Sequence, residues 1–223
     1  MLKKALKLLR TATLVPRKIS YYDLRAFAKR VEAKPKTLIV YIEFEFEDII
    51  KEYDILPQYQ YQTDRYYELL EGIAPASYNT IICTGLLEHM SDPARLVKQC
   101  HSILAPGGKL YLSVSSVFAV HRGPEDYYHL TQYGTRHLFE QCAWQHLDIR
   151  GACGPFRTIG ILLQRILLQA EVRFVFRPLI EALAWSITLL DGLVIRQYDG
   201  RTKTNEHLID SMMPSNVQVI ATK

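Results

Sequence analysis

The sequence predicts an α/β domain with an open, mostly parallel sheet, helices on both faces and a helical insertion before the last strand. Short apolar segments such as 81–83 alternate with segments of helical periodicity, as in a sheet whose parallel strands are joined by helices. A helix start lies at 91–93, where a capping side chain precedes a proline at the first helical position. The apolar segment 156–197 then separates this region from a final strand at 216–222.

Periodicity predicts the other elements. Helices are expected near 21–33 and 132–142, and strands near 38–46, 58–62, 109–115 and 146–150. The strand at 38–46 alternates apolar residues with tyrosine and glutamates, and these glutamates are Glu43, Glu45 and Glu47. Pro106, Gly107 and Gly108 predict a sharp turn.

Length and composition fit one decorated α/β domain. The 223 residues are 48% hydrophobic and 22% charged, which allows a sizeable core and excludes global disorder. We expect a basic N-terminal helical arm at 1–37, an α/β domain at 38–155 and 198–223, and an apolar helical insertion at 156–197.

Charge is concentrated at the N-terminus. Residues 1–37 carry eleven basic and two acidic side chains, which is 11 − 2 = +9, whereas the rest carries 16 − 21 = −5. Residues 2–10 also have an amphipathic pattern, so we expect contact with an anionic membrane surface and no nucleic-acid partner. A solvated basic helix is an equal alternative.

The insertion 156–197 reads as two or three amphipathic helices. A packed cap or a dimer face is one interpretation, and a membrane-surface contact or a lid over an apolar substrate is the other. The sequence contains no run of 18 or more uncharged apolar residues, so it predicts no transmembrane span. The four cysteines lack zinc-site spacing and the N-terminus lacks a secretory pattern, so we expect a cytoplasmic protein, peripheral at the membrane.

The stretch from 78 to 150 carries a family resemblance. It contains YNTIICTGLLEHMSDPARLVKQCHSILAPGGKLYLSVS, followed by HRGPEDYYHLTQYGTRHLF. These motifs resemble the fourth strand, the Leu-Glu-His loop, the Pro-Gly-Gly turn and the fifth strand of class I S-adenosylmethionine-dependent methyltransferases. The resemblance implies a Rossmann-like fold, S-adenosylmethionine as cofactor and a small-molecule substrate.

The resemblance also implies cofactor-binding residues. The loop after the fourth strand runs beside the methionine part of the cofactor in this family, and the family often has an aspartate near the adenine. The implied residues are Asp64, Cys83, Thr84, Gly85 and Leu86. For Asp64, an ordinary exposed acid is the alternative.

Two residues after the fifth strand are candidates for catalysis. A methyl transfer often needs a base that takes the proton of the acceptor, and the ordinary pKa of histidine suits His121 to that role. Asp126 could orient His121 or hold a substrate hydroxyl. A hydrogen-bonded structural corner is the alternative, and His129 stands where the resembling subgroup has arginine.

We expect no metal at Glu88 and His89. In related quinone O-methyltransferases a Glu-x-x-Glu-His run at this place is associated with a divalent metal, but here Gly85 replaces the first glutamate. One carboxylate and one imidazole are a poor magnesium site, so hydrogen bonds within the loop are expected instead.

The glycine-rich cofactor loop is missing. The family's first strand ends in an acid followed by Gly-x-Gly, whereas this chain has no glycine before Gly72. Glu43, Glu45 and Glu47 either face the cleft and repel the cofactor's carboxylate or face solvent. Strand 38–46 is either the family's first strand or its second, with the first one lost.

Two functional interpretations follow. The chain is a methyltransferase-like protein acting on a small or membrane-associated substrate, or an inactive relative that serves as a binding or membrane-surface module. We expect S-adenosylmethionine binding to be weak or lost. The substrate, the acceptor atom and the oligomeric state are not specified by the sequence.

Overall fold

A computed structural model describes residues 18–43, 49–194 and 212–223 of the chain. The predicted helix at 2–10 lies outside the described residues, and so do Glu45, Glu47 and residues 195–197 of the apolar insertion. Among the described helices, none combines the length and the apolar character needed to cross a bilayer.

The described part of the chain forms an open sheet of six strands. The strands are β1 (Thr37–Tyr41), β2 (Asp54–Ile55), β3 (Tyr78–Thr84), β4 (Leu104–Ser115), β5 (His146–Gly151) and β6 (Asn216–Thr222). They lie in the order β2-β1-β3-β4-β6-β5. Strands β1 to β4 are parallel, and β6 runs antiparallel between β4 and β5. The Rossmann-like, mostly parallel sheet is thereby confirmed.

Helices cover both faces of the sheet. They are α1 (Lys18–Ala28), α2 (Arg65–Glu71), α3 (Pro93–Ile103), α4 (Gln132–Phe139), α5 (Pro155–Gln169) and α6 (Arg177–Ile187), with 3₁₀ turns at Leu87–His89, Phe174–Phe176 and Thr188–Leu193. The start of α3 is as predicted, because the Asp92 carboxylate accepts a hydrogen bond from the Arg95 amide in front of Pro93.

Strand β1 ends earlier than the sequence predicts. It stops at Tyr41, and its five residues are all buried instead of alternating, because helices cover both faces of this central strand. It pairs directly with β3, the counterpart of the family's fourth strand. In doubly wound sheets the first strand lies beside the fourth, so β1 takes the place of the first strand, which is not lost.

Two further predicted elements differ from the structure in their bounds. The strand expected at 58–62 is instead β2 at Asp54–Ile55, and helix α2 lacks any counterpart in the prediction. Residues 106–108 fall within the bounds of β4 but leave its ladder with β3, because Leu104 pairs with Tyr78 and Lys109 pairs with Thr80. The chain turns there as predicted: Gly107 has a left-handed φ of 72°, and its amide donates a hydrogen bond to the Lys223 carbonyl. Helix α4 ends at Phe139, three residues before the expected end.

A separate apolar layer surrounds helices α5 and α6. Ile19 of α1, Cys153, Ile161 of α5 and Ala184 of α6 form a buried cluster apart from the main core. Helix α5 begins under the Asp191 carboxylate, which accepts hydrogen bonds from the Phe156 and Arg157 amides. This carboxylate therefore ties the turn after α6 to the start of α5.

The order in which the chain adds strands to the sheet reverses between β1 and β3, although the strands stay parallel. From β1 it moves outward to β2 and then returns to β3 on the other side. The loops after β1 and β3 therefore leave the sheet on opposite sides of one crevice, at the carboxyl ends of the strands. Ligands of such sheets bind at this point.

Candidate active site

A cleft opens at the carboxyl edge of the sheet. Its empty space is about 450 Å³, and this figure includes open solvent. The sheet contributes Ser115 and Asn216, and helix α1 covers one side. The full set of lining residues is Ser20, Tyr21, Leu24, Glu43, Ser115, Phe118, His121 and Asn216.

His121 lines this cleft, as its predicted role requires. Its Nδ1 lies 3.1 Å from the carbonyl oxygen of Ala119, and because a carbonyl only accepts hydrogen bonds, Nδ1 carries the proton. Nε2 is then the ring nitrogen with a free lone pair. This arrangement fixes the tautomer that a general base needs.

Asp126 lies at the centre of three imidazoles. Its Oδ2 accepts a 2.8 Å hydrogen bond from the His121 amide and lies 3.4 Å from both His121 Nδ1 and His129 Nε2. Its Oδ1 lies 3.9 Å from His89 Nδ1. The structure thus brings the two predicted catalytic residues together, and it adds His89 and His129 to them.

Burial controls the charge of His121. Loss of solvent lowers the pKa of His121 to about 4, opposed by the Asp126 carboxylate and assisted by nearby His89 and Arg165. The imidazole is therefore neutral in the physiological range, although the low pKa makes it a weak base. The Asp126 charge stabilises the protonated form that the reaction would create.

Glu88, in the 3₁₀ turn after β3, is a buried carboxyl group that lies against the end of β4. Its Oε1 accepts hydrogen bonds from the Ser115 amide and hydroxyl, at 3.2 and 2.7 Å, while Oε2 has no hydrogen-bond partner among the described residues. Burial raises the pKa of Glu88 to about 7, and the hydrogen bonds from Ser115 oppose this effect. The predicted hydrogen bonding of Glu88 therefore reaches beyond its own loop, to β4.

The loop of His121 is fastened to its neighbours. The His89 Nδ1 donates a hydrogen bond to the Glu125 carbonyl, and the Tyr127 and Tyr128 amides donate to the Glu88 carbonyl. The Glu125 carboxylate accepts hydrogen bonds from the amides of residues 62 and 63. These bonds hold the catalytic candidates in one geometry, which is the preorganisation that catalysis needs.

The predicted cofactor residues of β3 lie beside the cleft. Cys83, Thr84, Gly85 and Leu86 are all buried, and none of the four is among the residues that line the cleft. The Thr84 hydroxyl lacks a hydrogen-bond partner among the described residues. Their role in cofactor binding stays a prediction.

Glu43 occupies the space beside Gly85. Gly85 has a φ of 70°, and a Cβ atom built on it would collide with the Glu43 side chain. Backbone approach of this kind is what a glycine permits. On the β3 side of the crevice, a glycine and a hydroxyl without a partner among the described residues suit a bound cofactor, whereas on the β1 side the Glu43 carboxylate occupies the space over Gly85.

Asp64 has a structural partner. Its carboxylate accepts hydrogen bonds from the Ser91 amide and hydroxyl, at 3.1 and 2.6 Å, and it precedes helix α2. These bonds join α2 to the loop before α3. The predicted position of Asp64 near an adenine stays a prediction.

Two groups of side chains in this region could hold a metal ion. Atoms of Glu88, His89 and His121 lie within 4.8 Å of one another, and so do those of His121, Asp126 and His129. The sequence pointed only to the adjacent Glu88 and His89, because His121 comes from a different loop. The expectation that no metal binds stays a prediction.

Sequence reasoning missed part of the cleft. Helix α1 was assigned to a basic arm, yet Ser20, Tyr21 and Leu24 line the site. Asn216 was also missed, because only the antiparallel direction of β6 brings the first residue of this strand to the carboxyl edge. For His129 a signal was present in the sequence, because it ends the Pro-x-Asp-Tyr-Tyr-His run that contains Asp126. From the sequence alone, His129 is interpreted only as the residue that replaces an arginine.

A family model described as a methyltransferase domain matches residues 6–162. This match covers more than half of the chain and includes strands β1 to β5. The chain therefore belongs to the class I S-adenosylmethionine-dependent methyltransferase family. Proteins of this family use S-adenosylmethionine as their cofactor.

Curated relatives match a shorter segment. The ubiquinone biosynthesis O-methyltransferase of Xanthomonas euvesicatoria pv. vesicatoria is 42% identical over 55 residues, which are 23% of each chain. The enzyme of the same description from Idiomarina loihiensis is 44% identical over 46 residues, 21% of this chain and 19% of that protein. The matched segments thus span only about a fifth to a quarter of these relatives.

Solved structures share the fold over nearly the whole chain. A SAM-dependent methyltransferase from Archaeoglobus fulgidus superposes with a TM-score of 0.50 at 12% identity, covering 93% of this chain and 94% of that one. Phosphoethanolamine N-methyltransferase 2 of Haemonchus contortus, in complex with S-adenosyl-L-methionine, gives 0.51 at 11% identity, covering 91% and 52%. At such identities the similarity concerns the fold alone.

Proposed function

We propose that this protein transfers a methyl group to an oxygen or nitrogen atom of a small or membrane-associated molecule held in the cleft. When bound, S-adenosylmethionine supplies an electrophilic methyl group. His121 takes the proton of the acceptor on Nε2, and Asp126 positions His121. The curated relatives are O-methyltransferases by description, which favours a hydroxyl group as the acceptor.

The observation that best supports this proposal is the tautomer of His121, with the proton on Nδ1. Its Nδ1–H is held by the Ala119 carbonyl, and its amide is held by Asp126, so the ring is oriented with a basic nitrogen available at a cleft residue. Two buried atoms near His121, Glu88 Oε2 and His89 Nε2, have no hydrogen-bond partner among the described residues. They support a polar ligand or water beside His121, since an unmet buried polar group costs about 1–3 kcal/mol.

Substitution of His121 tests the proposal. With radiolabelled S-adenosylmethionine and a small-molecule extract, His121→Ala should lower label transfer by roughly 10²–10⁴-fold, the usual contribution of a general base. Asp126→Asn should have a smaller effect, because an amide oxygen can still accept the His121 amide proton but leaves the developing imidazolium without a counter-charge.

The control separates chemistry from folding. His137→Ala changes an exposed histidine of α4 and should leave the rate unchanged. Thermal unfolding of each variant shows whether it is folded. Equal rates for the native protein and a folded His121→Ala variant would exclude His121 as the base and leave it a structural corner.

An inactive relative is the second candidate function, and Glu43 favours it. The side chain fills the space over Gly85, and the sequence has no glycine among residues 1–71 to form the usual loop. Calorimetric titration with S-adenosylmethionine distinguishes the two candidates. Micromolar binding supports the enzyme, and no heat at millimolar ligand with a folded protein supports the inactive binding module.

A further inference from the structure

We infer that the surface formed by residues 174–193, together with the basic segment 1–17, docks this protein on an anionic lipid bilayer. The inference concerns where the protein binds and not methyl transfer. It can therefore stand or fall independently of the proposed function.

The first observation is the exposed apolar surface of α6 and its flanking turns, called here the apolar helical surface. Phe176, Leu179 and Leu183 follow one another at helical spacing, and each is at least half exposed. Further large apolar side chains are exposed before and after them, namely Phe174, Val175, Leu189 and Leu193. Contiguous exposed apolar residues of this kind mark a site of interaction.

The opposite face of α6 packs against α5 within the fold. Ala184 is fully buried against α5, where Gly160 approaches the Ala184 carbonyl so closely that a Cβ atom would not fit. The apolar helical surface is therefore not the packing face of α6. Turning the helix to bury Leu179 and Leu183 would break this contact.

The acids of this layer face inward. Glu181 accepts hydrogen bonds from the Gln164 amide group and the Trp185 indole, and Asp191 accepts those of two α5 amides. Asp23 of α1 is paired with Arg157. Their charges are thus partly neutralised within the protein, while Arg173 and Glu171 remain exposed at the start of the surface.

The second observation is the place where the basic segment joins the fold. Residues 1–17 contain five Lys or Arg residues and no acid. They lead directly into α1. Ile19 of α1 is fully buried in a cluster with Ala184, and the Ile19 amide donates a hydrogen bond to the Gln164 side chain of α5. The five basic residues therefore belong to a segment that joins the fold at residue 18, where α1 packs on the layer of α5 and α6.

The combination favours an anionic lipid surface over a second copy of this chain. Basic residues beside an exposed apolar surface suit a bilayer with anionic head groups, where the apolar side chains enter the interface and the charges contact the lipid. A second copy would carry the same five basic residues and no compensating acid in that segment, and like charges oppose association.

Vesicle co-sedimentation tests the inference with the full chain. The protein should pellet with vesicles of phosphatidylcholine and phosphatidylglycerol, and much less with phosphatidylcholine alone. Replacing Lys3, Lys4 and Lys7 together by glutamine should weaken binding by about 100-fold, at roughly fivefold per charge. High salt should weaken it as well, because exposed charges are screened.

A second pair of variants tests the apolar contribution. Leu179→Ser with Leu183→Ser should weaken vesicle binding at least tenfold, on the order expected when two leucines no longer enter the interface. Tyr133→Ser is the matched control, since Tyr133 of α4 is 69% exposed but lies outside the surface. It should leave vesicle binding unchanged.

Three results would overturn the inference. The intact protein could stay in the supernatant with anionic vesicles at low salt. Both sets of variants could bind as well as the native chain. Sedimentation velocity could show a dimer that the two leucine substitutions dissociate, which would assign the surface to a second copy of the chain.

Discussion

Glu43 stands where a class I methyltransferase would bring its backbone close to the cofactor. Its side chain lies over Gly85, at the reversal point between β1 and β3. If the methionine part of the cofactor lies at this point, as the family resemblance implies, the Glu43 carboxylate opposes the carboxylate of the cofactor and fills its space. We therefore expect Glu43 to limit affinity for the cofactor.

Removal of this side chain should strengthen cofactor binding. Glu43→Ala is expected to raise the affinity for S-adenosylmethionine by about tenfold or more, equivalent to about 1.4 kcal/mol. Glu43→Gln, which keeps the size and removes the charge, should give a smaller gain if space also matters. Calorimetry with the cofactor and with S-adenosylhomocysteine measures both effects.

The exposed acid Glu140 at the end of α4 provides the control. Glu140→Ala should leave the affinity unchanged, which separates a local effect of Glu43 from the general loss of one negative charge. An unaltered affinity in Glu43→Ala would show that Glu43 does not limit access of the cofactor.

At the scale of elements, the contact between α5 and α6 depends on one small residue. Gly160 lies where a Cβ atom would collide with the Ala184 carbonyl and lie 3.1 Å from Thr188 Cγ2 and 3.3 Å from Ile19 Cδ1. Three elements thus meet at this glycine. The same contact anchors α1, which in turn covers the cleft.

Gly160→Ala should destabilise the protein. Overpacking of a close contact typically costs about 1–3 kcal/mol, which exceeds the gain of up to about 1 kcal/mol from replacing glycine by alanine within a helix. The free energy of unfolding, measured by urea denaturation, should fall accordingly. A stabilised Gly160→Ala variant would show that the helices adjust without loss.

Gly192 is the matched control for this substitution. A Cβ atom at Gly192 has no atom within 4 Å among the described residues. Gly192→Ala should therefore change the free energy of unfolding by no more than about 0.5 kcal/mol.

At the scale of the whole molecule, two buried groups couple the stability of the fold to pH in opposite directions. The pKa of His121 is lowered from its ordinary 6.5 to about 4, so between these values the unfolded chain binds the proton and stability falls as the pH falls. The pKa of Glu88 is raised from 4.5 to about 7, so between those values the folded chain binds the proton and stability falls as the pH rises.

Glu88→Gln isolates the second effect. The variant should gain stability relative to the native protein as the pH rises from 4.5 to about 7.5, by roughly 3 kcal/mol in total, because the native carboxylate must then be charged while buried. Urea denaturation of both proteins at about pH 5 and about pH 8 gives this difference. A difference that does not vary with pH would show that Glu88 ionises as freely when folded as when unfolded.

Much of the fold was predictable because it rests on local pattern. The Asp92-Pro93 start of α3, the apolar core of β3 and the final strand β6 follow from capping geometry and periodicity. The end of β1 was not predictable, because the alternation of residues 40–47 continues past the point where the sheet ends. The exposed two-residue strand β2 and the short helix α2 have weak local signals, and pairing with neighbours decides such elements.

The site divides in the same way. By itself the sequence determined the family, the position of the crevice at the ends of β3 and β4, and the pairing of His121 with Asp126, because these features lie within one continuous motif. Only the tertiary structure decided that His89 and His129 join Asp126, that Glu43 lies on Gly85 and that α1 covers the cleft. Those contacts join residues far apart in the chain, and their distances are set by the packing of whole elements, which a local pattern does not encode.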